Sequence, residues 1–176
     1  AKGEPPNALE ALERGYQATE GSLLVTADLA QLQTQLGSPE RAIALYEAYL
    51  EKDAASKPAI NNLAMLLSTY RTDSASLDKA ARLAETFRDS KVPGYLDTLA
   101  WVHHRRGESA VAVSLMREVL SMSPGVPTFQ YHLGAALIGA GKTEQGRGYL
   151  EQALEGNRPF GERKAAQALL DGLSGE

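Results

Sequence analysis

The sequence predicts an all-α protein built as a solenoid of helical hairpins. Its best-formed unit is the stretch 93–124, in which Leu96, Leu99 and Ala100 recur at the spacing of one helical face. A second apolar run with the same spacing follows Gly107, a residue that can adopt the positive φ at which helices often end. Because a hairpin this short buries only one face, it requires neighbours of its own kind.

These neighbours are visible as an internal repeat. A leucine followed by a small residue recurs at positions 29, 63, 99 and 133. Turn glycines keep the same period, since Gly107 and Gly141 are one period apart and Gly37 precedes Gly107 by two periods. The period is thus 34 to 36 residues, a length typical of stacked helix–turn–helix units. The residues predicted at helix crossings are Ala30, Ala64, Ala100 and Gly134 in the first helices, and Ala42, Ala80, Ala112 and Gly146 in the second helices.

Taken in order, the apolar periodicity and the turn residues predict helices along the whole chain. They cover residues 8–19, 23–36, 57–70, 77–88, 127–139, 143–155 and 163–173, together with one that begins at Pro39 and two within 93–124. Ser38 is predicted to cap the helix that Pro39 begins. Gly146 lies inside a helix, where Gly costs roughly 0.5–1 kcal/mol relative to Ala, so we expect the last hairpin to be the least stable.

A helix–turn–helix of this period, with a Leu-small pair, a turn Gly and a closing Pro, resembles the tetratricopeptide repeat. The resemblance covers residues 23–160 and implies a right-handed superhelix with a C-terminal capping helix. It divides the chain into a segment 1–22 with the second helix of a preceding repeat, repeats at 23–56, 57–92, 93–126 and 127–160, and a capping helix and tail at 161–176. The second of these repeats is irregular, with a longer loop. Since helix 8–19 lacks its own first helix, we expect the chain to be part of a longer solenoid.

Three segments carry a narrower resemblance. NNLAMLL, LDTLAWVHHRRG and YHLGAAL are similar to bacterial tetratricopeptide proteins of envelope and exopolysaccharide export systems of the exosortase (PEP-CTERM) type. This resemblance implies a bacterial protein in the periplasm or cell envelope rather than in the cytoplasm.

The tetratricopeptide resemblance also implies a concave groove lined by first-helix positions. The candidate partner-binding residues at these positions are Asp28, Gln31, Asn61, Asn62, Met65, Asp97, Thr98, Trp101, His104, Arg105, Tyr131 and His132, and Ala27, Gln35, Thr69 and Ala135 share the same positions. Paired amides of Asn61 and Asn62 suit an extended peptide backbone. Trp101 is expected to be partly exposed beside Met65 and Tyr131 as an aromatic anchor, or alternatively to pack between helices.

Other chemistries find little support in the sequence. A net charge of −4 gives no electrostatic footprint for nucleic acid, and the absence of cysteine excludes thiol catalysis and disulfides. The segment IGAGKT lacks the first glycine and the preceding strand of a phosphate-binding loop. His103 is predicted to fill the core, while His104 and His132 could approach each other near Asp97 without forming a regular metal site.

The sequence therefore favours a protein- or peptide-binding scaffold in a multi-component assembly. We predict no enzymatic activity, no catalytic residue, no cofactor, no metal, no nucleic-acid partner and no insertion of this segment into a membrane. Two alternatives stay open: a structural spacer in a larger enzyme or membrane protein, and a superhelix that binds polysaccharide through Trp101, Tyr131 and the groove amides.

Overall fold

The structure, a computed structural model, describes residues 5–155 and 159–173, with side chains from residue 8 onward. Within these ranges the chain forms ten α-helices and one short 3-10 turn, and no strand. No helix among the described residues is both long and apolar enough to cross a membrane. The chain divides into two compact units, residues 1–71 (unit 1) and 72–176 (unit 2). The all-α prediction is confirmed.

Unit 1 consists of four helices, each packed against the next in chain order. They are α1 (Pro5–Ala18), α2 (Leu23–Gln35), α3 (Pro39–Lys52) and α4 (Lys57–Tyr70). Leu29, Ile43 and Leu63 are buried between them, as the apolar spacing predicts. Ser38 is the N-cap residue of α3 and Pro39 lies in its first turn, as predicted, but the Ser38 side chain makes no capping hydrogen bond.

Unit 2 contains six helices, again packed in chain order. They are α5 (Ser74–Ala84), α6 (Pro93–Arg105), α7 (Ser109–Met122), α8 (Pro127–Gly139), α9 (Thr143–Leu154) and α10 (Arg163–Gly172). Helices α6 and α8 also touch each other directly. Leu96, Leu99 and Leu133 are buried in this core.

Helix α5 departs from its predicted bounds. It begins at Ser74 rather than at residue 77, because the carboxylate of Asp73 accepts a hydrogen bond of 2.9 Å from the backbone N–H of Ser76 and caps it. Residues expected in a long loop therefore form its first turn. At the other end the helix stops at Ala84 and continues as the 3-10 turn Glu85–Phe87.

The turn glycines behave as predicted. Gly37, Gly107 and Gly141 have φ of 77°, 81° and 74°, a conformation that strains residues with a Cβ. The residue after each glycine donates its backbone N–H back to a carbonyl in the preceding helix: Ser38 to Gln33 at 2.8 Å, Glu108 to His103 at 2.9 Å, and Lys142 to Leu137 at 2.8 Å. These bonds satisfy helix-terminal carbonyls and reverse the chain.

The crossing of α8 and α9 shows why a glycine stands at position 146. A Cβ added to Gly146 would lie 2.7 Å from the backbone oxygen of Gly134 and 2.6 Å from Cγ1 of Ile138. Facing it, a Cβ on Gly134 would lie 3.1 Å from the backbone oxygen of Gly146. The two glycines thus permit a close helix approach that alanine would obstruct, and the expectation that this hairpin is the least stable stays a prediction.

Candidate partner-binding surface

The candidate residues on the first helices of unit 1, α2 and α4, lie at the surface. Asp28 and Gln31 are exposed, whereas Asn61, Asn62 and Met65 are half-buried. Three of them, Gln31, Asn62 and Met65, line one hollow of about 270 Å³. The structure thus brings these three predicted side chains together, and the hollow is completed by Ala27, Ala30, Thr34, Tyr46 and Leu66.

Asn62 is held in this hollow by a short chain of hydrogen bonds. Its Nδ2 donates to the hydroxyl oxygen of Tyr46 at 2.8 Å, and its Oδ1 accepts from Nδ2 of Asn61 at 3.3 Å. Tyr46 comes from α3, and the sequence did not identify its role. Burial raises the pKa of the Tyr46 hydroxyl, against the opposing effect of the Asn62 hydrogen bond, and the charge of Asp28 raises it further. Tyr46 therefore stays neutral and fixes the amide.

In unit 2 the structure corrects the prediction of an open groove. Five candidates on α6 and α8 are buried. They are Asp97, Thr98, Trp101, Tyr131 and His132. The single tryptophan is only 7% exposed, so the alternative in which it packs between helices is right and the exposed aromatic anchor is wrong.

The reason is a cluster of rings at the contact of α6 with α8. The Trp101 ring stacks on His132 with centroids 4.2 Å apart, and Tyr131 lies 5.7 Å from the same ring. His132 Nδ1 in turn lies 2.7 Å from Oδ1 of Asp97, which gives the buried carboxylate a partner. Rings of this size fill the space that smaller residues would leave as a groove.

Two candidates of unit 2, His104 and Arg105, remain half-buried. The Arg105 guanidinium carbon lies 6.0 Å from the centroid of the Trp101 ring. Burial lowers the pKa of His104 to about 4, and the charges of Arg105 and His132 lower it as well. His104 is therefore neutral at pH 7 and contributes an aromatic edge to the cluster rather than a charge.

His103 fills the core as predicted, but it also has a partner that the sequence analysis missed. Its Nδ1 lies 2.5 Å from Oε2 of Glu108, which begins the next helix after the Gly107 turn. Among the described residues no group of three or more His, Asp or Glu side chains could hold a metal ion. His104, His132 and Asp97 do lie close together, in a packed cluster that leaves no coordination site.

Comparison with known proteins agrees with this architecture. Two family models, both described as tetratricopeptide repeat, match residues 1–66 and 98–162. The fold is similar to a crystal structure of the MamA protein, with 22% identity, a TM-score of 0.61 and coverage of 94% of this chain and 87% of that one. It is also similar to a double mutant of MamA RS-1, with 13% identity, a TM-score of 0.65 and coverage of 88% and 85%.

At these identities the likeness to solved structures concerns the fold alone. No match is found among curated protein sequences. The family matches, the internal repeat and the consecutive packing of helices agree with one another, and together they show that the chain is built of tetratricopeptide repeats.

Proposed function

We propose that the chain is a protein-interaction scaffold that holds a peptide segment of its partner on the first-helix surface of unit 1. One observation carries the proposal: the hollow of about 270 Å³ into which Gln31, Asn62 and Met65 converge. It combines an apolar wall with fixed polar groups, which is the composition of a peptide subsite.

The size of the hollow favours a peptide over a small molecule. Small-molecule pockets typically enclose about 300–1,000 Å³, so this hollow accepts one side chain rather than a whole ligand. Met65 supplies a flexible apolar surface that adapts to different side chains. Gln31 is exposed at the rim, where its amide can follow the main chain of a peptide.

Asn62 supplies the main polar contact. A side-chain amide carries two N–H donors and two acceptor lone pairs, and the bonds to Tyr46 and Asn61 use one of each. One donor and one acceptor remain, which matches the donor and acceptor that a peptide backbone offers at each residue. Since Tyr46 already orients the amide, little side-chain entropy is lost when a peptide binds.

The alternatives have weaker support. The rings of Trp101 and Tyr131, on which the polysaccharide hypothesis depended, are buried and cannot stack on a sugar. A spacer role does not require a hollow with a fixed amide. The narrower assignment to envelope or exopolysaccharide export, and with it a periplasmic location, stays a prediction based on the three sequence segments. The absence of enzymatic activity also stays a prediction.

The test is a screen of the whole chain against an unbiased array of short peptides, followed by fluorescence anisotropy with the peptides that bind. Asn62→Ala should weaken binding by at least about tenfold, because a central anchor typically contributes about 2 kcal/mol, and Gln31→Ala, at the rim, should weaken it by less. Glu51→Ala, at an exposed position of α3, should leave binding unchanged. Circular dichroism melting of each variant separates lost binding from lost fold.

Peptides that bind with the same affinity to all three variants would contradict the proposed site. An array on which the chain binds no peptide would contradict peptide recognition altogether and favour the spacer.

A further inference from the structure

A second, larger hollow lies in unit 1, between α1, α2 and α3. It encloses about 1050 Å³ and is separate from the hollow at Asn62, with which it shares no lining residue. Its apolar surface comes from Tyr16 and Ala18 of α1, Leu29 of α2, and Ala44 and Leu45 of α3. The hollow thus offers a volume with a mainly apolar floor that a partner could fill.

One lining residue of the hollow is polar where two later repeats have leucine. Gln33 occupies the position that holds the almost fully buried Leu67 and Leu137 in the second and fourth repeats, and His103 in the third. Gln33 is itself only 4% exposed and lines the hollow, yet its side chain has no hydrogen-bond partner among the described residues. Because this amide faces the hollow without a partner, it can hydrogen-bond to an occupant that brings a polar group into contact with it.

The walls of the hollow carry opposite charges. Glu10, Glu13 and Arg14 line the α1 side and give it a net charge of −1. Arg41 lines the α3 side and gives it a charge of +1. None of these four residues forms an ion pair with another residue in the part of the chain that the structure describes. They are exposed along the rim, where charges select a partner by complementarity.

We propose that this groove binds an amphipathic α-helix of a protein partner, with an apolar stripe on the floor, basic residues toward α1 and acidic residues toward α3. A cylinder about 10 Å across and two helical turns long encloses roughly 850 Å³, so the hollow accommodates that much helix. The mode is that of a helix laid in a groove. A polar side chain of the partner helix, such as a tyrosine, can form a hydrogen bond with the side-chain amide of Gln33. The site is independent of the peptide hollow at Asn62.

The test uses fluorescein-labelled amphipathic helical peptides of about 18 residues, long enough to form helix in isolation. One peptide carries Lys along one flank of its apolar stripe and Glu along the other, a second carries Lys on both flanks, and a third carries Glu on both. The mixed peptide should bind the whole chain most tightly. The double change Glu10→Lys with Glu13→Lys makes both walls basic, and it should shift the preference to the peptide with two Glu flanks.

Ala44→Trp, at an exposed position within the groove, should weaken binding of the mixed peptide at least about tenfold by filling the space. Ala110→Trp, at an exposed alanine of α7, is the matched control and should not change it. Helical content and melting of each variant are measured alongside. Equal binding of all three peptides, no binding of any, or binding that Ala44→Trp leaves intact would each overturn the proposal.

Sedimentation of the chain alone completes the experiment. If the chain associates with itself and Ala44→Trp abolishes that association, the occupant is a second copy, and the proposal of a partner helix is wrong.

Discussion

The same position of the repeat is open in one unit of the molecule and closed in the other. Asn62 of α4 is half-buried beside a hollow, whereas Thr98 of α6, its equivalent one repeat later, is 1% exposed. What differs is the neighbouring first helix of each unit. In unit 1, α2 presents small or flexible residues such as Ala27 and Gln31, while in unit 2, α8 presents the rings of Tyr131 and His132.

The comparison teaches that repeat position alone does not define a binding surface. A first-helix position lines a groove only where the neighbouring first helix brings side chains too small to fill the space. In unit 2 the large rings convert the same surface into core, where Asp97 and His132 pair with each other and Nε1 of Trp101 is buried without a hydrogen-bond partner among the described residues. On the function proposed above, recognition belongs to unit 1, whereas the cluster of unit 2 is part of the core.

The largest expected effect follows from the burial of Trp101. Trp101→Ala should destabilise the fold by about 3–5 kcal/mol, because it removes a buried ring and leaves a cavity among Tyr131 and His132. Chemical denaturation followed by circular dichroism measures this loss. Tyr70→Ala, at an aromatic residue that is 46% exposed in unit 1, should change the free energy of unfolding by less than about 0.5 kcal/mol. Equal effects of the two changes would contradict a closed unit 2.

A smaller effect is expected at the crossing of α8 with α9. Gly146→Ala should destabilise the fold by about 1–3 kcal/mol, since the added Cβ meets backbone and side chain of α8 at very short distances. Gly148→Ala, in the same helix but with nothing within 4 Å of the added Cβ, should instead stabilise it by roughly 0.5–1 kcal/mol. Thermal melting of the two variants measures both changes in stability. If Gly146→Ala stabilises the fold, α8 and α9 do not approach each other as closely as the structure shows.

Most of the helical framework was predictable from the sequence. Helix α4 and helix α8 have the predicted bounds, because Pro residues in their first turns and the apolar spacing identify them. The positive φ of Gly107 was predictable from its place between two apolar runs. These features depend on local sequence, and the internal repeat supports each of them several times over.

What escaped prediction depends on contacts between helices. The start of α5 required the cap by Asp73, and the role of Gly146 required the facing Gly134. The candidate residues of unit 1 could be selected by repeat position, but the Tyr46 hydroxyl that orients Asn62 comes from another helix. For the burial of the tryptophan a signal was present in the sequence, since large rings at positions 131 and 132 stand where the first repeat has Ala and Asp.

The measurement that tests this account most directly is thiol labelling at the two equivalent positions. Because the chain contains no cysteine, Asn62→Cys and Thr98→Cys each introduce a single reactive group. We predict that the thiol at position 62 reacts with a maleimide reagent within the native state, whereas the thiol at position 98 reacts at least about tenfold more slowly, because it requires local or global opening. Equal labelling rates in two variants with native circular dichroism would contradict the division into an open unit 1 surface and a closed unit 2 core.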